Sequence, residues 1–380
     1  MSLALTIGGA EVLLPGGLAQ VPLAIEGGRI AGAPVGREVD LEGYMVLPGI
    51  VDIHGDGFER HLAPRRGAMT DMQGGLVAAE AELASNGITT AVLAQFWSWE
   101  GGLRSAEFAR AMLTALAAVR PGLVSDLRAQ LRFETHMLED YAGFEAAVAA
   151  FGVEYVVFND HVPHERLAAG RRPARLNGTA LKSGRSPEAL LALMQALHAR
   201  GPEVPGAVAG LAARLAARGV RLGSHDDRSA ADRAAWRDRG AMIAEFPETE
   251  AAANAARAGG DGIVLGAPNV MRGGSHNGNV SARDLVAAGA CDALASDYHY
   301  PSLRRAALAL VAVGVCDLAA AWGLVSGGPA RLLGLDDRGA LVPGMRADLV
   351  VLEAGTMRLC ATLAGGRVSY LSGDLAARFF

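Results

Sequence analysis

Cysteine is scarce in this chain of 380 residues: Cys291, Cys316 and Cys360 are all it has, odd in number and widely spaced. That excludes a disulfide-stapled scaffold and predicts reduced core thiols of a cytosolic protein, so the expected location is the cytoplasm. Aromatic residues make up only 5% of the chain, and lysine occurs once, at Lys182. The net charge of −5 leaves no basic footprint, so nucleic acid is not an expected partner. The best apolar run, Ala306 to Val315, is too short to span a bilayer and sits in a helical pattern, so no membrane is expected either. Met1 to Ile7 carry no basic segment, from which no secretory leader is expected.

What is present is a large apolar fraction, 51%, mostly alanine, leucine and valine. This suffices for one large domain plus a small one. Residues 1–46 read as short strands with turns at Gly16-Gly17 and Gly27-Gly28, and residues 338–371 mirror them. A small β-sandwich built from 1–46 and 338–380 is the expectation. Between them, residues 47–337 alternate apolar strands with alanine-rich helices, the mark of βα units and a parallel sheet. The strand candidates are 48–54, 88–95, 130–135, 154–159, 219–224, 241–246, 262–267 and 293–297. Eight such units predict an α/β fold, a (β/α)8 barrel with its active site at the strand C-termini. Residues 165–188, rich in Arg, Gly, Ser and Pro, read as a long loop.

Chemistry gathers at those strand ends. The first gives His54 and Asp56, two apart on a strand and so facing one way, with Gly55 leaving room between them. An isolated pair of this kind is more often a buried histidine beside a turn aspartate than a metal site. The third strand ends in Glu134 and His136, the fourth in Asp160 and His161, and the fifth in His225, Asp226 and Asp227. The sixth ends in Glu245 and the eighth in Asp297 and His299. Six ends of eight carrying histidine or carboxylate, all at one rim of a barrel, point to a divalent metal such as zinc. No Ser-His-Asp arrangement or nucleophile elbow is seen.

Residues 47–54, the Ser224–Asp227 strand end, the Ser296-Asp297 pair and the tail 344–350 resemble the amidohydrolase superfamily. Residues 54–65, 224–227, 243–249 and 266–280 resemble, within it, the PhnM family of phosphonate metabolism. The resemblance implies a hydrolase with one or two metals, zinc foremost, ligated by His54, Asp56, Glu134, His161, His225 and Asp297. The superfamily often bridges its metals with a carbamylated lysine, otherwise a glutamate. Lys182 is not at a strand end, so Glu134 is the expected bridge. Asp297 and His225 are expected to be catalytic, Asp297 taking the proton of the attacking water. The implied reaction releases pyrophosphate from α-D-ribose 1-methylphosphonate 5-triphosphate, and the runner-up is a C–N hydrolase, a deaminase or cyclic amide hydrolase.

The expected partner is thus a small phosphorylated molecule, and a homo-oligomer stays open. Arg272, His276 and Asn279 lie in a glycine-rich turn after strand seven, where barrel enzymes often hold phosphate. A solvated glycine turn is the plain alternative. Arg60 is placed to line the pocket or to partner Asp56. The basic stretch with Arg166, Arg172, Lys182 and Arg185 is as readily a solvated loop as a cover for phosphates. Three features depart from PhnM: Val162 to Leu167 in place of a Gly-Gln-Arg-Gln-type stretch, His299 after strand eight, and Trp97 and Trp99 after strand two. Packing is the favoured role for the two tryptophans.

Overall fold

The computed structural model describes residues 2–65, 69–273 and 280–379. Eight strands form one sheet in which each strand neighbours the next in sequence. They are β8 (Ile50–Gly55), β9 (Ile88–Trp97), β10 (Asp126–Glu134), β11 (Tyr155–Asn159), β12 (Arg221–His225), β13 (Ile243–Glu245), β14 (Gly262–Gly266) and β15 (Ala293–Ala295). All eight were legible as strands. The pairings β8–β9, β10–β11, β11–β12, β12–β13 and β14–β15 are parallel. β8, β9 and β11 are buried along their whole length, as strands covered on both faces must be. A parallel bridge between Gly55 and Asp297 joins the last strand segment back to the first, the closure of a (β/α)8 barrel.

By its contacts the chain divides into two compact units, residues 1–93, 118–128 and 262–380 in one, 94–117 and 129–261 in the other. The first unit also holds two sheets built from the chain ends. β1 (Leu5–Gly8), β4 (Leu23–Glu26), β5 (Arg29–Ala31) and β6 (Arg37–Asp40) make one, in the order β5-β4-β1-β6. β2 (Glu11–Leu14), β3 (Gly17–Gln20), β7 (Tyr44–Pro48), β16 (Leu349–Glu353), β17 (Leu359–Ala364) and β18 (Arg367–Leu371) make the other, in the order β18-β17-β16-β7-β2-β3. Leu5, Ile7, Ile25 and Val46 from one end pack with Leu349, Val351, Leu363 and Phe379 from the other in a shared core. The crossing from sandwich to barrel is abrupt: β7 ends at Pro48, and β8 begins at Ile50. Gly49 allows it, because a Cβ there would come within 2.4 Å of the Thr89 hydroxyl.

In the second unit, residues 165–188 are not the expected loop. They form the helices His164–Ala168 and Leu176–Ser183 and lead into Pro187–Ala199. Leu176 and Ala180, one turn apart, bury against Trp99, Val162, Leu190 and Met194. Two well-placed apolar residues thus outweigh a polar composition. Ser186 caps the last helix by accepting from Ala189 N–H, and Pro187 takes its first position. The three thiols are free, but only Cys360 is buried, so "core thiol" holds for one of three. Among the described residues no helix is long and apolar enough to cross a membrane.

Candidate active site

In the first unit, His54 and Asp297 meet through their backbones. The Asp297 N–H donates to His54 O at 3.0 Å, and the Asp56 N–H donates to Asp297 O at 2.8 Å. Beneath them, buried Asp52 accepts from the Ser296 N–H at 3.0 Å and from its hydroxyl at 2.5 Å. Asp52 therefore fastens the ends of β8 and β15, and burial pushes its carboxyl up from the ordinary range. Gly55 is required for more than room between ligands. A Cβ there would lie 2.6 Å from the Asp52 carboxylate, 2.8 Å from Ser296 Oγ and 2.9 Å from the Tyr300 ring. His54, Asp56 and Asp297 are thereby held together.

The second unit brings together Glu134, His161 and His225. Glu134 is fully buried at the end of β10. One oxygen pairs with His161 Nδ1, and the other accepts from the His161 N–H at 3.0 Å and the Trp99 indole N–H at 3.2 Å. Burial works to raise the Glu134 carboxyl, yet the His161 imidazole and these donors hold it below the usual range. Burial likewise works to lower His161, and Glu134 raises it above its ordinary value. The His161 and His225 rings stand 6.5 Å apart between centroids.

His225 is oriented from both sides. Its Nδ1 lies 3.1 Å from Asp226 Oδ2, and its Nε2 lies 2.9 Å from Arg132 Nη2. Arginine only donates, so Nε2 is the lone-pair nitrogen that accepts from Arg132, and the ring proton sits on Nδ1, on the side of the Asp226 carboxylate. Burial works to raise Asp226, but the His225 and Arg132 charges outweigh it and bring the carboxyl down to about 2. A cavity of about 370 Å³ opens here, with His161, His225, Asp226, Asp160 and Trp236 among its walls.

Three of the four described non-glycine residues with positive φ follow strand ends: Asp226 at 59°, Phe246 at 53° and Asp297 at 55°. Such backbone costs on the order of 1–3 kcal/mol each and persists where surrounding bonds hold it. Here the Asp226 N–H donates to Glu245 O, and Asp297 is bound as described above.

The sequence reading missed several of these partners. Trp97 packs edge-on to Phe144 and donates to Asp140, as a packing residue should. Trp99 instead serves the Glu134 carboxylate, and Arg185 fixes it by donating to Trp99 O at 2.9 Å. Arg185 and Arg172, which pairs with Glu188, are thus committed within their own unit. Glu245 accepts from Gln130 and from the Tyr155 hydroxyl, each at 2.7 Å.

In the first unit, Arg60 engages Glu82 and donates to Tyr298 O at 3.4 Å. Arg272 donates to the Tyr298 hydroxyl at 2.8 Å. His276 and Asn279 lie outside the described residues. His299 has an exposed side chain beside Tyr298. Lys182 sits within the helix Leu176–Ser183, away from any strand end in sequence.

No family model matches the chain. It is 33% identical, over 325 residues, to the α-D-ribose 1-methylphosphonate 5-triphosphate diphosphatase of Escherichia coli strain K12, covering 82% of this chain and 84% of that protein. Its fold resembles a Xaa-Pro dipeptidase with bound methionine at a TM-score of 0.65 and 14% identity, over 97% of this chain and 99% of the other. It also resembles an N-acyl-D-glutamate deacylase from Bordetella bronchiseptica, complexed with zinc and a phosphonate inhibitor, at a TM-score of 0.59 and 14% identity, over 97% and 96% of the two chains. The chain therefore belongs to the PhnM family of the amidohydrolase superfamily and is a hydrolase of phosphonate metabolism.

Proposed function

We propose that this hydrolase cleaves α-D-ribose 1-methylphosphonate 5-triphosphate in the cytoplasm to the 5-phosphate and pyrophosphate. It would do so with one or two divalent metals, zinc foremost, held by His54, Asp56, Glu134, His161, His225 and Asp297. The observation that carries the reading is the 33% identity over 325 residues to a diphosphatase of that substrate. The donor set fits such a metal on its own terms, carboxylate with imidazole: Glu134 and His161 turn toward each other, and the His225 ring stands 6.5 Å from that of His161. When bound, the metal lowers the pKa of water and offsets charge on the attacked phosphoryl group.

The chain's own residues do the rest. Glu134 takes the bridging position, since the one lysine of the sequence lies in a helix between strands four and five. Asp297, set by its backbone bonds to His54 and Asp56, accepts the proton of the attacking water. Arg60 and Arg272, both bonded to Tyr298, hold the phosphates by charge-assisted hydrogen bonds. The P–O bond to the terminal two phosphates breaks, and pyrophosphate leaves.

The test is incubation of zinc-loaded protein with this triphosphate, following pyrophosphate. Release with the 5-phosphate left behind supports the reading. No release from protein of intact metal content, with ammonia instead released from a nucleobase and amide panel, would replace it by a C–N hydrolase.

A further inference from the structure

We propose a second divalent-cation site, made by His136, Asp160 and His164 and separate from the six residues above. Its three ligand atoms lie within 4.8 Å of one another. Each comes from a different segment: His136 follows β10, Asp160 follows β11, and His164 opens the next helix. Both histidines turn to the one carboxylate. His136 Nδ1 stands 3.4 Å from Asp160 Oδ1, and His164 Nε2 stands 3.3 and 3.1 Å from Oδ1 and Oδ2.

These separations suit a shared cation. A charge-assisted hydrogen bond between imidazole and carboxylate closes to roughly 2.7–2.9 Å. Two ligands on a tetrahedral zinc, each at roughly 2.0–2.1 Å, stand about 3.3 Å apart. The separations in the cluster match the edges of a coordination polyhedron.

Burial fits too. The His136 side chain is 5% exposed, while Asp160 and His164 are 39% and 34% exposed. A cation would meet one anchored ligand at the floor and keep an open face for a water as fourth ligand. Behind His164, His198 Nδ1 lies 2.7 Å from His164 Nδ1. With the His164 Nδ1–H donated to His198, the Nε2 lone pair faces the Asp160 carboxylate, an arrangement a cation makes favourable. Two imidazoles and a carboxylate suit zinc or a neighbouring transition metal rather than calcium or magnesium. The site would clip the helices His164–Ala168 and Pro187–Ala199 to the ends of β10 and β11.

The test strips metal from the full-length protein, reloads it with zinc against a competing chelator and counts zinc by elemental analysis. H164A should bind one ion fewer per chain than wild type. H198Q should keep the saturating count but bind the extra ion about 10- to 100-fold more weakly. E134Q, which strikes the centre proposed for catalysis, should leave this ion in place. Independently of any variant, zinc-edge anomalous scattering from zinc-soaked wild-type crystals should peak among His136, Asp160 and His164. Equal zinc counts in wild type and H164A, or no anomalous peak there, would overturn the site and leave a proton-linked His-Asp-His cluster.

Discussion

Arg233 donates through Nη1 to Asp227 Oδ2 at 3.1 Å, and neither side chain meets solvent. The same guanidinium nitrogen reaches Ser224 Oγ at 2.8 Å. The Ser-His-Asp-Asp end of β12 is therefore divided between two tasks. Ser224 and Asp227 bond to each other and to Arg233, while His225 pairs with Asp226; both aspartates and His225 line the cavity. Replacing Arg233 by Met leaves Asp227 buried without its cation, and about 3–5 kcal/mol of stability should be lost. The loss should appear in the urea midpoint. The double variant Arg233→Met, Asp227→Leu should recover part of it, because the Asp227 charge is gone and Asp261, the other carboxylate paired with Arg233, keeps Arg237. A single variant as stable as wild type would contradict the division.

Glu134 is expected to bridge, and its replacement by Gln should lower zinc content and turnover together. The amide keeps the size of the side chain and an acceptor for Trp99 and the His161 N–H, so the fold should persist. Elemental analysis beside a circular dichroism spectrum separates metal loss from unfolding. Unchanged zinc content would remove Glu134 from the ligand set.

The pair Glu134–His161 also sets a pH dependence for the metal-free protein. Glu134 has a lowered pKa, so its stabilising contribution is present above the ordinary 4.5 and lost as pH falls through the folded value. His161 has a raised pKa, so its contribution is complete below the ordinary 6.5 and lost as pH rises through the folded value. The pair's contribution should therefore be fullest between 4.5 and 6.5. In E134Q the decline on the basic side should flatten. Zinc must displace the His161 proton, so loading should weaken with falling pH and release a proton when measured in two buffers of different ionisation enthalpy.

The eight barrel strands and the residues at their ends could be read from the chain because each is a local signal, an apolar run broken by His, Asp or Glu. The partners could not. Trp99 reaches Glu134 across 35 residues, Arg132 reaches His225 across 93 and Gln130 reaches Glu245 across 115. Such pairs join β10 to strands two or three places away in the sheet, β12 and β13, or to the segment after β9, and no periodicity announces them. The helices after β11 were hidden for another reason. Leu176 and Ala180 supply their buried face, too few apolar residues to register against the surrounding Arg, Gly and Ser. The strand order of the terminal sheets was equally hidden, since β2 pairs with β7 across the length of β4, β5 and β6.

Tyr298 offers a test of the substrate side, because it meets both arginines proposed to hold phosphate. Its hydroxyl accepts from Arg272, and its carbonyl accepts from Arg60. Arg272→Ala removes charge-assisted bonds worth about 1.5–3 kcal/mol, so KM for the triphosphate should rise roughly 10- to 100-fold. If those bonds serve ground state and transition state alike, kcat should change little. Tyr298→Phe keeps the carbonyl and loses only the hydroxyl. It should raise KM by a smaller factor, since Arg272 retains its charge and loses only its orientation. Steady-state kinetics on both variants decide the matter. A fall in kcat with KM unchanged would move Arg272 from holding the substrate to stabilising the transition state.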